Sequence, residues 1–146
     1  MSYLPAGLPS PDWDEKSVDA PFWEAARRHR LAVQRCAGCG TYRWGPEWIC
    51  HACGSFDTRW EEVEGKGRIY SWERCWHPAH PALKEAGPYI VVLVELPHAG
   101  SIRLLGNLLG DPLADVSIGQ EVRACFEDHQ GPGKPFTLVH WQAVGV

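Results

Sequence analysis

At 146 residues, with a formal net charge of −4 and a pI near 5.9, the chain fits one ordinary domain or two small ones. Fourteen Lys and Arg against 18 Asp and Glu argue against general affinity for nucleic acid, where neutralising phosphates requires clustered cations. No apolar run approaches the roughly eighteen residues of a membrane span; the longest, Ile90 to Val94, is the size of a strand.

Met1 to Ser10 lack the basic start and apolar stretch of a secretory signal, so a soluble cytoplasmic protein is expected. The first twenty residues carry Pro5, Pro9 and Pro11 and read as an irregular arm. A helix is predicted over Pro21 to Arg30. Proline suits a first turn, Phe22, Ala25, Ala26 and His29 would share a face, and Arg27, Arg28 and Arg30 favour the C-terminal end. This helix could simply pack on its own chain. However, Trp13, Phe22 and Trp23 have little local core to hide in, and eight tryptophans are several times ordinary usage. Burial of these three against another chain is therefore expected.

Leu31 to Arg35 reads as a strand feeding Cys36-x-x-Cys39. Thr41 to Trp44 leaves that turn, Gly45-Pro46 breaks the path, and Cys50-x-x-Cys53 follows ten residues after the first pair. Asp57 to Val63 returns as a third strand. Two residues between thiolates let one tight turn present both sulfurs to one ion, and Gly40 and Gly54 supply the positive φ such a turn ends on. Two facing turns complete an all-sulfur tetrahedron, the closed geometry of a structural zinc. Two disulfides or four unrelated thiols would share this spacing, but a reducing compartment favours a metal. A single iron, as in rubredoxins, would also fit; nothing else in the chain suggests electron transfer, so zinc is expected.

Gly65-Lys66-Gly67 marks a boundary, read as a turn because no strand–loop–helix pattern surrounds it. Five β-like runs follow, Arg68 to Trp76, Tyr89 to Leu96, Ser101 to Leu109, Gln120 to Asp128 and Phe136 to Ala143. Turn signals separate the later ones, including Gly131-Pro132-Gly133, and a long gap from His77 to Pro88 separates the first two. Tyr89 to Leu96 is apolar on both faces, as expected where one face lines a barrel and the other is covered. Short strands with Gly at the corners suit a five-stranded OB-fold, with an SH3-like barrel as the competitor. The expected class is mainly β: an N-terminal arm and helix over residues 1–30, a zinc ribbon over 31–64 and an OB-fold domain over 65–146.

The order of these features resembles the domain-of-unknown-function 35 family. The residues that carry the resemblance are Pro21-Phe22-Trp23, the two cysteine pairs, Trp60, Gly65-x-Gly67-x-Ile69-Tyr70-Ser71, His77-Pro78, Pro88-Tyr89, Gly119 and Phe126. The resemblance implies a helical arm, a rubredoxin-like zinc ribbon and an OB-fold, with Cys36, Cys39, Cys50 and Cys53 as ligands. It also implies a thiolase-like or lipid-transfer-protein-like partner subunit acting on acyl-CoA. Some family pairs form carbon–carbon bonds, in acetoacetyl- and hydroxymethylglutaryl-CoA synthesis; others are aldolases that shorten steroid side chains. His77-Pro78-Ala79-His80 is similar to the version beside the aldolases. The resemblance breaks at Trp44-Gly45-Pro46-Glu47, where the family pattern reads aromatic-Pro-Pro-Arg, so a phosphate contact from that arginine does not carry over.

The chain itself offers no catalytic machine. Cys75 and Cys125 lie in expected strands with no feature to lower a thiol pKa, and Glu61, Glu62 and Glu64 read as a solvated edge that discourages strand pairing. No nucleophile elbow, paired carboxylate or Walker pattern is present. His77 and His80 are candidates for the wall of a partner's tunnel. Tyr70, Trp72 and Trp76, placed on one strand face, are candidate acyl-CoA contacts. The expected function is a zinc-containing, acyl-CoA-binding auxiliary subunit that completes a thiolase-like aldolase cleaving a β-hydroxyacyl-CoA. The alternatives are a subunit of a carbon–carbon bond-forming synthase and a single-stranded nucleic-acid module using the same aromatics.

Overall fold

The computed structural model describes residues 5–131 and 133–145, so Met1 to Leu4, Val146 and the proline of the Gly131-Pro132-Gly133 turn lie outside the described residues. An irregular arm leads into α1 (Ala20–Arg27). Three strands follow, β1 (Leu31–Cys36), β2 (Tyr42–Arg43) and β3 (Thr58–Val63), then five more, β4 (Lys66–Cys75), β5 (Tyr89–Leu96), β6 (Ile102–Leu108), β7 (Glu121–His129) and β8 (Phe136–Ala143). No helix among the described residues is long and apolar enough to cross a membrane.

Strands β1 to β3 make an antiparallel sheet in the order β2-β1-β3, and β4 to β8 close into a barrel in the order β4-β5-β6-β8-β7. All barrel pairings are antiparallel except β6 with β8, which meet in parallel at Leu108 and Trp141. Inserting the last strand between the third and fourth barrel strands is the Greek-key closure of an OB-fold, and it sets aside the SH3-like alternative. β5 and β8 have the bounds expected of their β-like runs. Gly67 on β4 is needed for closure: a Cβ there would sit 2.5 Å from the Glu95 carbonyl oxygen of β5.

The expected helix through Arg30 stops at Arg27 instead. His29 adopts φ +56°, its N–H bonds to the Ala26 carbonyl, and the Arg30 N–H bonds to the Ala25 carbonyl. That is a Schellman ending, with histidine where glycine is usual. His29 therefore leaves the helical face assigned to it. Its ring stacks on Phe126 at 5.2 Å and its Nε2 lies 2.9 Å from Asp128.

The aromatic arm also departs from expectation. Trp13 is 6% exposed within the single chain, stacks on Trp23 at 6.4 Å and carries the Lys134 ammonium 3.6 Å from its ring centre. Phe22 packs edge-on against Trp44 at 4.9 Å, and the Trp23 indole N–H donates to Asp19. The helix covers β1 and β8, so the local core missing from the sequence pattern is supplied by tertiary packing. Ribbon and barrel also share one core: Leu31 and Val33 of β1 pack with Ile69, Val92, Val94 and Trp141.

Candidate metal centre and the neighbouring surfaces

The four cysteines converge as their spacing predicts. Their sulfurs all lie within 4.8 Å of one another, with Cys36 to Cys53 at 3.6 Å and Cys39 to Cys50 at 3.7 Å. A tetrahedron with zinc–sulfur bonds of about 2.3 Å has edges of roughly 3.8 Å, so the donor set fits zinc. Each knuckle closes through a backbone bond, Gly40 N–H to Cys36 O at 2.9 Å and Gly54 N–H to Cys50 O at 2.8 Å. Gly40 and Gly54 have φ of +77° and +75°, the left-handed conformation that glycine adopts without strain.

The surroundings favour thiolates unevenly. Burial opposes ionisation of Cys50, yet backbone N–H groups of Cys53 and Ala52 hold its thiol down at about 6. The Thr41 hydroxyl, 3.1 Å from Cys39 Sγ, lowers that thiol as well. At Cys53 the Ser55 N–H favours the thiolate but is outweighed by the crowd of Cys36, Cys39 and Cys50, which pushes it up to about 11. Four sulfurs this close ionise together only when a cation neutralises them, the electrostatic signature of a metal centre.

Arg35 props the first knuckle. Its Nε donates to the Gly40 carbonyl at 2.9 Å, its guanidinium lies 4.6 Å from the Tyr42 ring centre, and its Nη1 reaches Glu61 at 3.2 Å. Tyr42 donates its hydroxyl to Glu61 at 2.6 Å, which raises the phenol pKa and lowers that of the carboxyl. Glu61 is thus a buttress of the metal ribbon, unlike the solvated edge expected of it. Glu62 and Glu64 do stay exposed, the latter paired with Lys66.

The aromatic strand is not a single face. A β-bulge at Tyr70 shifts the β4–β5 register between Ile69 and Ser71 and reverses the pleat beyond it. Ile69 and Trp72 therefore turn toward the core, whereas Tyr70 stays 46% exposed under Arg103, 3.6 Å from its ring centre. Trp76 lies beyond the strand end and is exposed. Arg74, 5.4 Å from the centre of the Trp72 ring, donates to the Pro112 and Ala114 carbonyls and fastens the β6–β7 loop. His77 and His80 lie in the β4–β5 loop, apart in role: His77 is exposed, and His80 Nδ1 accepts from the Ala82 N–H at 3.1 Å, capping a short 3-10 turn, Pro81–Leu83.

Sequence reasoning missed one surface. Trp48 and Ile49, just before Cys50, and Phe56, just after the second knuckle, are all exposed. Three large apolar residues flanking a metal turn, which has no core of its own, were the available signal.

A tetrathiolate ribbon built onto a closed OB barrel defines a zinc-ribbon/OB-fold protein. Two family models match it, the ChsH2 rubredoxin-like zinc ribbon domain over residues 23–59 and the ChsH2 C-terminal OB-fold domain over residues 60–127. A solved structure described as the Ltp2-ChsH2(DUF35) aldolase is similar at a TM-score of 0.75 and 36% identity, over 92% of this chain and 98% of that one. The chain belongs to the domain-of-unknown-function 35 family. A DUF35-family protein of unknown function from Sulfolobus solfataricus shares the fold at a TM-score of 0.59 and 16% identity, covering 88% of this chain and 86% of its own. Among curated relatives, a probable enoyl-CoA hydratase alpha subunit from Thermomonospora curvata is 45% identical over 71% of this chain. The 3-oxo-4,17-pregnadiene-20-carboxyl-CoA hydratase alpha subunit of Mycobacterium tuberculosis is 31% identical over 88% of it. The chain spans only 32% and 43% of these two relatives' lengths.

Proposed function

We propose that this chain is a zinc-containing auxiliary subunit that completes a thiolase-like or lipid-transfer-protein-like aldolase acting on a β-hydroxyacyl-CoA. The observation that carries this reading is the 36% identity, over nearly all of both chains, to a structure described as an Ltp2-ChsH2(DUF35) aldolase. The two relatives named as CoA hydratase subunits support a CoA thioester as the substrate class, and the pregnadiene-carboxyl-CoA in the second name supports a steroid side chain.

In such a retro-aldol cleavage a base removes the β-hydroxyl proton and the bond between the α- and β-carbons breaks. Its electron pair passes to the α-carbon as a thioester enolate, which is then protonated, leaving a ketone and a shortened acyl-CoA. Both the base and the enolate stabiliser are assigned to the partner subunit. The metal supplies rigidity to the ribbon. The chain's own task is to close the mouth of the acyl-CoA tunnel with its barrel and the β4–β5 loop, orienting the thioester and excluding water. Tyr70, Trp76 and His77 are its exposed side chains for that wall, while Trp72 and His80 hold the wall's shape.

The aromatic strand does not support the nucleic-acid alternative. One face of the Tyr70 ring is occupied by Arg103 and Trp72 is turned toward the core, so β4 offers no continuous row of open rings for stacked bases. The test is to co-express the chain with a thiolase-like subunit from the same organism, purify the pair and compare His77→Ala and His80→Ala complexes. His77→Ala is expected to lower kcat/KM, with metal content unchanged. No co-purification with any such subunit contradicts the assignment.

A further inference from the structure

The second metal knuckle carries the most exposed aromatic surface of the described residues. Phe56 is 75% exposed and Trp48 67%, although the same chain buries Trp13 almost completely. These two rings stand on fixed backbone. Cys50 N–H bonds to Ser55 O at 2.9 Å, Asp57 N–H to Ser55 Oγ at 3.0 Å, and both backbone groups of Glu47 are clamped at 3.0 Å by the Gln34 amide. Little conformational entropy remains to be lost when a partner covers them.

The rings border a groove. Trp48, Phe56 and Trp60 line it from the ribbon, and Val18 and Pro21 from the segment that enters α1. Glu15, Glu24 and Glu47 stand at the rim against Lys16 alone. Gln34 and Thr58 also line the groove, and both are already engaged, Gln34 by Glu47 and Thr58 by the Arg43 guanidinium at 2.6 Å. The interior therefore needs no polar ligand, while the rim demands cations. A nucleic acid or a CoA phosphate is repelled by three carboxylates, and so is a second copy of this chain that meets it groove to groove.

We infer that this groove is the docking site for the thiolase-like subunit, and that it receives a segment carrying Arg or Lys beside aliphatic side chains. Trp48 and Phe56 act as the apolar anchors, and the rim glutamates select the basic residue. This rests on the auxiliary-subunit reading above and places its interface on the ribbon instead of on the buried Trp13–Trp23 stack.

The experiment measures affinity of the full-length, zinc-loaded chain for a thiolase-like subunit from the same organism by titration calorimetry. Trp48→Ala, Phe56→Ala and the double variant Glu24→Lys/Glu47→Lys are compared with Ile118→Ala, an exposed residue of the β6–β7 loop. Zinc content and circular dichroism confirm that each variant is folded. Each aromatic truncation is expected to weaken binding about thirtyfold, the charge reversal about tenfold or more, and Ile118→Ala less than about twofold. Wild-type binding that both aromatic variants retain within about twofold overturns the docking site and leaves the function standing. Absence of wild-type binding overturns the function and this inference together. Self-association of the chain that Phe56→Ala abolishes assigns the groove to a second copy and overturns the proposal as well.

Discussion

Gly67 of β4 and Glu95 of β5 approach so closely that one added methyl group on Gly67 would lie 2.5 Å from the Glu95 carbonyl oxygen and 2.6 Å from the Val94 side chain. Gly67 also pairs with Val122 of β7, so this contact sits where the barrel closes on itself. The obstructing atom is backbone and cannot rotate away. Gly67→Ala is therefore expected to cost about 2 kcal/mol or more. Urea unfolding of the two proteins checks this, and equal midpoints would show that the seam relaxes.

Metal removal addresses the ribbon. Zinc bound by Cys36, Cys39, Cys50 and Cys53 should appear as one equivalent per chain, and chelation should release the knuckles. Because Leu31 and Val33 belong to the shared core, the barrel is expected to soften rather than unfold when the metal leaves. Hydrogen exchange should rise first over the residues around Cys50 to Cys53, and Cys39→Ser should reproduce the effect. A metal-free protein with unchanged exchange at both knuckles would contradict a structural metal.

Acid should loosen the end of α1. The Thr137 hydroxyl, and then His29, hold the Asp128 carboxyl below the usual carboxylate value. A lowered folded pKa contributes stability above the unfolded value of about 4, and that stability is lost as pH falls through the folded value. Asp128→Ala is thus expected to be less stable than wild type near neutrality, with the gap closing below about pH 4. A gap independent of pH would assign the loss to packing alone.

The bulge at Tyr70 gives its two aromatic neighbours opposite fates. Trp72 packs against the core, so Trp72→Ala is expected to cost about 3 kcal/mol. Tyr70 contributes a half-exposed ring under Arg103, and Tyr70→Ala should cost no more than about 1 kcal/mol. Thermal melts of the two variants distinguish them. Similar losses would place both rings on one face.

Much of this architecture is legible because its signals are local. Two Cys-x-x-Cys pairs with following glycines specify the knuckles without tertiary context, and the apolar runs of Tyr89–Leu96 and Phe136–Ala143, bounded by turn residues, give strand bounds directly. What stayed hidden depends on contacts distant in sequence. His29 ends its helix because Phe126 and Asp128, about a hundred residues later, hold its ring. Trp13 looked unpartnered because its cover includes Lys134. A bulge at Tyr70 changes every face assignment downstream by one residue, and no composition rule marks it. Trp48 and Phe56 carry no periodic signal of their own, because they flank a metal turn and belong to no regular element.

Carbon–carbon bond cleavage tests the central claim most directly. A β-hydroxyacyl-CoA of steroid side-chain type is incubated with the chain alone, with the thiolase-like subunit alone and with the purified complex, and release of the shortened acyl-CoA is followed. The account predicts turnover by the complex, none by this chain, and little by the partner alone. Cleavage by the isolated chain, or equal rates with and without it, would contradict an auxiliary subunit that completes its partner's site.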